Sequence, residues 1–186
     1  KKIIQSNEQL YQRLLTILQT HIQHIKDRAG AVNERIRDNL FLVNNCSIEV
    51  EDTQLLFSTL WSQINPINEW VVQNSISDFR VIKANGNFFS VGDFNRLHEE
   101  SIAFLRASLK TRKQKTIVAT HHVPTFFHYP EKYKGDVLNE AFVTELSPFI
   151  EAFGPDYWIY GHHHCNVPEF EIGNSRMITN QLGYVH

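Results

Sequence analysis

Between residues 3 and 29, apolar side chains fall at Ile4, Tyr11, Leu15, Leu18, Ile22, Ile25 and Ala29, the three-and-four spacing of one helical stripe. The spacing predicts a single amphipathic helix, with Gly30 as its stop because glycine accepts the left-handed backbone that ends helices. Such a stripe either covers the core of its own domain or makes a self-association seam through residues 3–29. Past Gly30 the texture changes. "NLFLVNN", "SIEV" and "TQLLFSTLW" are short apolar or alternating runs separated by Asn, Asp and Thr, the pattern of strands in a hairpin set.

"INEWVVQNSI" has room for a helical turn or two, and "GDFNRLHEESIAFLRASLK" predicts a longer helix with Phe94, Leu97, Ile102, Leu105 and Leu109 on one side. "KTIVATHHVP" is a buried strand that ends where two histidines and Pro124 begin. "VLNEAFVTELSPFIEAFG" has helical spacing through Leu138, Phe142, Leu146 and Ile150 and stops at Gly154-Pro155. A second strand follows in "DYWIYGHHH", again with histidines at its exit. "EFEIG" and "RMITN" around Gly173-Asn174-Ser175 predict a terminal hairpin. The chain is therefore of mixed α/β class, with residues 1–30 as an amphipathic helix apart from a main body over residues 31–186.

Bulk properties narrow the function without naming it. At 186 residues, with 42% hydrophobic residues and 13 Phe, the chain suffices for one domain with a real core. A net charge of -2 offers no basic face for nucleic acid and no polybasic run for anionic lipid. Cys46 and Cys165 are its two cysteines and make no disulfide framework, so a reducing, cytoplasmic location is expected. No apolar run approaches the ~18 residues of a spanning helix, and neither membrane nor nucleic acid is an expected partner. The chain starts at Lys1 and its one methionine is Met177, so further sequence upstream is expected.

The chemistry concentrates at the two strand exits. Strand, helix, strand from Lys115 to Tyr160 predicts parallel neighbours, which places His121 and His162 at one edge of the sheet, where α/β sheets bind ligands. A lone histidine is usually a hydrogen-bonded core or surface residue. Three in a row at His162, His163 and His164 are harder to explain as packing. Neutral imidazole is a good ligand for Zn, Fe, Ni and Mn, and alternate residues such as His162 and His164 can offer two nitrogens from one extended loop while His163 points the other way.

In this order, "TIVATHHVP" and "DYWIYGHHHCN" resemble the last two motifs of the calcineurin-like metallophosphoesterases, the second being that family's G-H-x-H. "LFLVNN", "STLWS", "SDFRVI", "LHEES", "YKGDVLNEAF" and "TNQLGYV" extend the resemblance to one bacterial branch of predicted phosphoesterases, over roughly residues 31–186. The resemblance implies a β-sandwich flanked by helices and a two-metal site that hydrolyses phosphate esters. By position, His121 and His162 match histidine ligands of one metal and His164 the histidine on the other. Mn, Fe and Zn are the cofactors implied, with Mg also a candidate. Two such cations polarise phosphoryl oxygens and lower the pKa of an attacking water. His122 and His163 lie beside these ligands and receive no role.

The same family carries D-x-H, G-D-x-x-D and G-N-H motifs, and this chain shows none of them in place. Gly92-Asp93 falls at a helix start, where Asp93 reads as an N-terminal helix residue, and Gly86-Asn87-Phe88 lacks the histidine. The chain is thus expected to lack the N-terminal strands of the fold. It is a portion of a longer product, a non-catalytic relative, or one half of a site completed by another polypeptide. The rival to a phosphoesterase is a catalytically incompetent binding or assembly module on the same fold, with at most one bound metal.

Overall fold

The computed structural model describes residues 34–37, 40–84, 86–112 and 115–181. The helix and seam expected over residues 3–29 lie outside them. Strands β1 (Glu34–Arg37) and β2 (Leu40–Leu42) pair antiparallel. β3 (Cys46–Val50) and β4 (Thr53–Ser58) form the expected hairpin, turning at Glu51 with φ +56°. Two short helices follow, α1 (Glu69–Ser75) and α2 (Asp78–Val81), then a small ribbon of β5 (Lys83–Ala84) and β6 (Asn87–Phe88). Its tip holds Gly86 at φ +84°, a value that favours glycine.

Helix α3 (Val91–Lys110) starts on a reciprocal cap. Ser90 Oγ accepts from Asp93 N–H at 3.1 Å and the Asp93 carboxylate accepts from Ser90 N–H at 3.2 Å, so two otherwise orphaned donors are satisfied. Gly92-Asp93 is therefore helix-start chemistry, as its position in the sequence indicates. The buried residues of α3 include Phe94, Leu97, His98, Ser101, Leu105 and Leu109, the three-and-four stripe that turns one side to the core.

The remaining elements are β7 (Lys115–Thr120), α4 (Ser147–Phe153), β8 (Tyr157–Tyr160), β9 (Phe170–Ile172) and β10 (Ser175–Thr179). They build a six-stranded mixed sheet in the order β3-β4-β7-β8-β10-β9. The four central strands run parallel, and the two edge strands run antiparallel to them. Leu56, Val118, Trp158 and Met177 stand in register across those four strands, each fully buried. They pack in one core with Leu105 and Leu109 of α3 and Phe149 and Ile150 of α4. Burying one such side chain contributes roughly 1.5–3 kcal/mol. Leu55, Phe57, Ile117, Ala119 and Ile159, at alternate positions, form a second buried cluster on the opposite face. Burial on both faces explains why these strands read as continuous apolar runs.

One expectation needs correction. The spacing of Leu138, Phe142, Leu146 and Ile150 does not make one helix. A 3₁₀ turn covers Val137–Ala141, and α4 begins only at Ser147. Between them, Val123 N–H donates to Phe142 O at 3.1 Å, Thr144 N–H to Val123 O at 3.0 Å and Leu146 N–H to Pro124 O at 2.9 Å. This segment therefore pairs with the loop after β7. Pro148 has no N–H to donate and is accommodated only in the first turn of a helix, so α4 starts at Ser147. Among the described residues no helix is long and apolar enough to cross a membrane.

Candidate metal centre

Because β4, β7 and β8 are parallel, their carboxyl ends open at one edge, and three loops meet there: Thr59–Ser62, His121–Pro124 and Gly161–Asn166. The first is bent by two left-handed residues, Leu60 at φ +68° and Trp61 at φ +50°. It is held by α3. Asn95 exchanges hydrogen bonds with the backbone of Ile64 at 2.8 and 2.9 Å, and His98 Nδ1 lies 3.0 Å from Leu60 O. From the other side, Thr59 N–H donates to Asn44 Oδ1 at 2.8 Å and Ser58 Oγ to Asn45 Oδ1 at 2.8 Å. These bonds account for the "NN" of "LFLVNN" and the "STLWS" that follows β4.

The second loop continues the ladder for two residues. His121 N–H donates to Ser58 O and His122 N–H to Thr59 O, at 3.3 and 3.1 Å. His122 turns inward and its Nδ1–H donates to Thr59 O at 3.1 Å, with the ring against both Trp61 (5.4 Å) and Phe94 (5.8 Å). Beneath it, Thr120 Oγ1 accepts from the Trp158 indole N–H at 3.0 Å and donates to His122 O at 3.0 Å. A buried core residue is thereby tied to the site's backbone.

The third loop carries the histidine triplet on strained backbone. His163 N–H donates to Gly161 O at 3.1 Å across His162, whose φ is +73°. That is the strained form of γ-turn. His164 is left-handed as well, at φ +52°. Each such residue costs on the order of 1–3 kcal/mol and persists only where its surroundings hold it. Gly161 itself is spared: a Cβ there would meet only ordinary contacts, His121 O at 3.7 Å and Gln181 Oε1 at 3.8 Å. The loop thus places its strain on the histidines and not on the glycine.

The result brings His121, His122 and His162 together. Ring centroids of His121 and His162 are 4.4 Å apart, as are those of His122 and His162, and His121 and His122 are 5.3 Å apart. Part of His162 reaches solvent, but its Nε2 is buried and makes no hydrogen bond among the described residues. Burial, and then the neighbouring imidazoles with His121 first, hold His162 well below the ordinary imidazole range; the Ala141 carbonyl acts the other way. His122 is lowered in the same manner, by burial first and His121 second. Both rings are therefore neutral near pH 7, the form in which imidazole ligates metals.

His164 is different. It is exposed, and its backbone N–H donates to Gln181 Oε1 at 2.9 Å. Among the described residues no group of three or more His, Cys, Asp or Glu side chains converges closely enough to hold a metal ion. His121, His162 and His164 are thus not assembled into one ligand set here. The donor chemistry at His162 suits a divalent cation, since its buried, unpartnered, neutral nitrogen is costly unless something occupies it, and the His121 ring stands beside it. A complete coordination shell needs donors beyond these two.

Two features escaped sequence reasoning. His122 is held by aromatic residues far away in sequence, and nothing local marks it. Gln181, inside the quoted "TNQLGYV", fastens the histidine loop: besides His164, its Nε2 donates to Cys165 O at 2.8 Å, while Asn166 Nδ2 donates to Gln181 O at 2.9 Å and Gln181 N–H to Asn166 Oδ1 at 2.6 Å.

The chain is 32% identical over 160 residues to an uncharacterized protein of Acanthamoeba polyphaga mimivirus, a match covering 80% of this chain and 56% of that protein. This chain thus spans little more than half the relative's length. A solved crystal structure overlaps 77% of this chain and 46% of its own, with 10% identity and a TM-score of 0.44. The family model for calcineurin-like phosphoesterases matches residues 36–166, a stretch that takes in all three loops at the sheet edge except for the Gln181 clasp. With most of its length so matched, this chain belongs to the calcineurin-like phosphoesterase family.

Proposed function

We propose that this chain contributes the C-terminal part of a metal-dependent site that hydrolyses phosphate esters. The observation that carries the reading is the 4.4 Å approach of the His121 and His162 rings at the strand exits, with His162 Nε2 buried and unpartnered. His121 and His162 would hold one divalent cation, and His164, one residue beyond the γ-turn, would reach a second one only with its ring turned inward. Divalent cations bound there would polarise the phosphoryl oxygens of a substrate. The chain's own contribution is to present the neutral His162 imidazole beside His121 and to keep water from the inner side with Trp61, Phe94 and Phe142. Imidazole donors favour Mn, Fe or Zn over Mg. The two cysteines, both free, fit a reducing, cytoplasmic setting.

Turnover of an aryl phosphate by the full chain, with and without excess Mn, tests this proposal. Metal-stimulated turnover lost in His162→Ala supports it. Metal binding without any turnover favours the binding or assembly module instead, and turnover unchanged in His162→Ala overturns the ligand assignment.

A further inference from the structure

Residues 139–142 lie inside "YKGDVLNEAF", a motif that the metal-binding reading leaves without a task, yet they touch all three loops at the sheet edge. From the first loop, Ser62 Oγ donates to Glu140 O at 2.7 Å. The Glu140 carboxylate accepts from Asn65 N–H and from Asn68 Nδ2, each at 2.8 Å, just ahead of α1. From the second loop, Val123 N–H donates to Phe142 O at 3.1 Å. From the third, the His162 ring packs on the Phe142 ring, with centroids 4.8 Å apart and 32° between planes.

That last contact falls where the site needs support. His162 stands at φ +73°, and its Nε2 makes no hydrogen bond among the described residues, so no polar bond at that atom fixes the ring. Neighbouring rings must set its orientation. His122 is locked in the interior, whereas Phe142 is half-buried and closes a 3₁₀ turn. A 3₁₀ turn has poor internal hydrogen-bond geometry and keeps its shape through outside contacts. Glu140 supplies two of these, and a charged acceptor makes them roughly twice as strong as neutral ones.

We infer that Phe142 is a positioning residue that sets the orientation of the His162 ring toward its cation, and that Glu140 positions Phe142 by anchoring the turn. The inference rests on the reading of His162 as a metal ligand. Residues that orient a ligand contribute roughly 10–100-fold to metal affinity.

Calorimetric titration of the full chain with Mn(II), at a temperature where circular dichroism shows each variant folded, is the test. Phe142→Ala should weaken Mn(II) about tenfold, and Phe142→Tyr, which keeps the ring, should recover most of it. Glu140→Ala should weaken it about threefold or more, and should add nothing to Phe142→Ala, because Glu140 acts through that ring. Without metal, ring-to-ring nuclear Overhauser contacts between Phe142 and His162 should weaken in Glu140→Ala. Should Phe142→Ala not fold, Phe142→Leu, which lacks the flat face, takes its place. His162→Ala in the same titration separates this inference from the reading beneath it. Weakened Mn(II) in His162→Ala beside wild-type affinity in Phe142→Ala overturns the inference alone, as does a Glu140→Ala loss that persists in full beside Phe142→Ala. Wild-type affinity in His162→Ala, or no Mn(II) binding by the unsubstituted chain, overturns the ligand reading and this inference with it.

Discussion

Thr120 is a small residue on which the account makes a large demand. It sits at the last position of β7, 1% exposed, and its hydroxyl is shared between the Trp158 indole N–H and the His122 carbonyl, each at 3.0 Å. Thr120→Val keeps the shape and removes the hydroxyl. No cavity opens, so the cost comes from two buried polar groups left without that partner, each worth about 1–3 kcal/mol. A total of about 2–6 kcal/mol is expected. Thr120→Ser does the reverse, keeping the hydroxyl and losing one methyl group, for about 1 kcal/mol. Urea denaturation followed by far-ultraviolet circular dichroism separates them: with a slope of about 2–3 kcal/mol per molar, Val lowers the midpoint by about 1 M or more and Ser by less than half as much. If Val proves no more costly than Ser, the hydroxyl bridge between core and site is not a stabilising link and the reasoning fails.

Other expectations use different parts of the structure. Burial lowers the pKa of His98, and burial with His121 beside it lowers that of His122. Above about pH 6.5 both rings are neutral folded or unfolded, so they give no pH dependence; below it the unfolded chain takes up the protons first, and stability falls by about 1.4 kcal/mol per pH unit for each ring until its folded pKa is reached. Urea midpoints that stay constant from pH 7 to 5 would contradict this. At His162, φ +73° strains any residue but glycine, so His162→Gly should be about 1 kcal/mol more stable than His162→Ala in thermal or urea melts. Equal stability would mean that the turn relaxes. Asp93→Asn weakens the α3 cap by about 1 kcal/mol and leaves Mn affinity unchanged, because Gly92-Asp93 serves the helix; a fall in Mn affinity would return Asp93 to the site.

The parts of this molecule that could be read from its sequence are those where local pattern and tertiary environment agree. β7 and β8 are covered on both faces, so their runs of Ile, Val, Ala and Trp announced strands, and their order in the chain placed His121 and His162 at one edge. The stretch from Leu138 to Ile150 shows the opposite case. Four apolar residues at helical spacing coincide with a 3₁₀ turn, a bridge between Val123 and Val143 and a short helix, because Pro148 and hydrogen bonds to Val123 and Pro124 outweigh periodicity. Asn85-Gly86 is a hairpin signal that fits the β5–β6 ribbon. His122 and Gln181 were out of reach. Their roles depend on partners such as Trp61 and Phe94, or on a clasp closing over 15–18 residues, and no local spacing encodes either.

The claim beneath all of this is that His121 and His162 face one cation position. Paramagnetic Mn(II) titrated into the full chain, with each histidine ring followed by NMR, tests it directly. Selective early broadening of the His121 and His162 ring signals, ahead of the exposed His128, is the predicted result. Broadening that begins at His128, or reaches all rings equally, would contradict it.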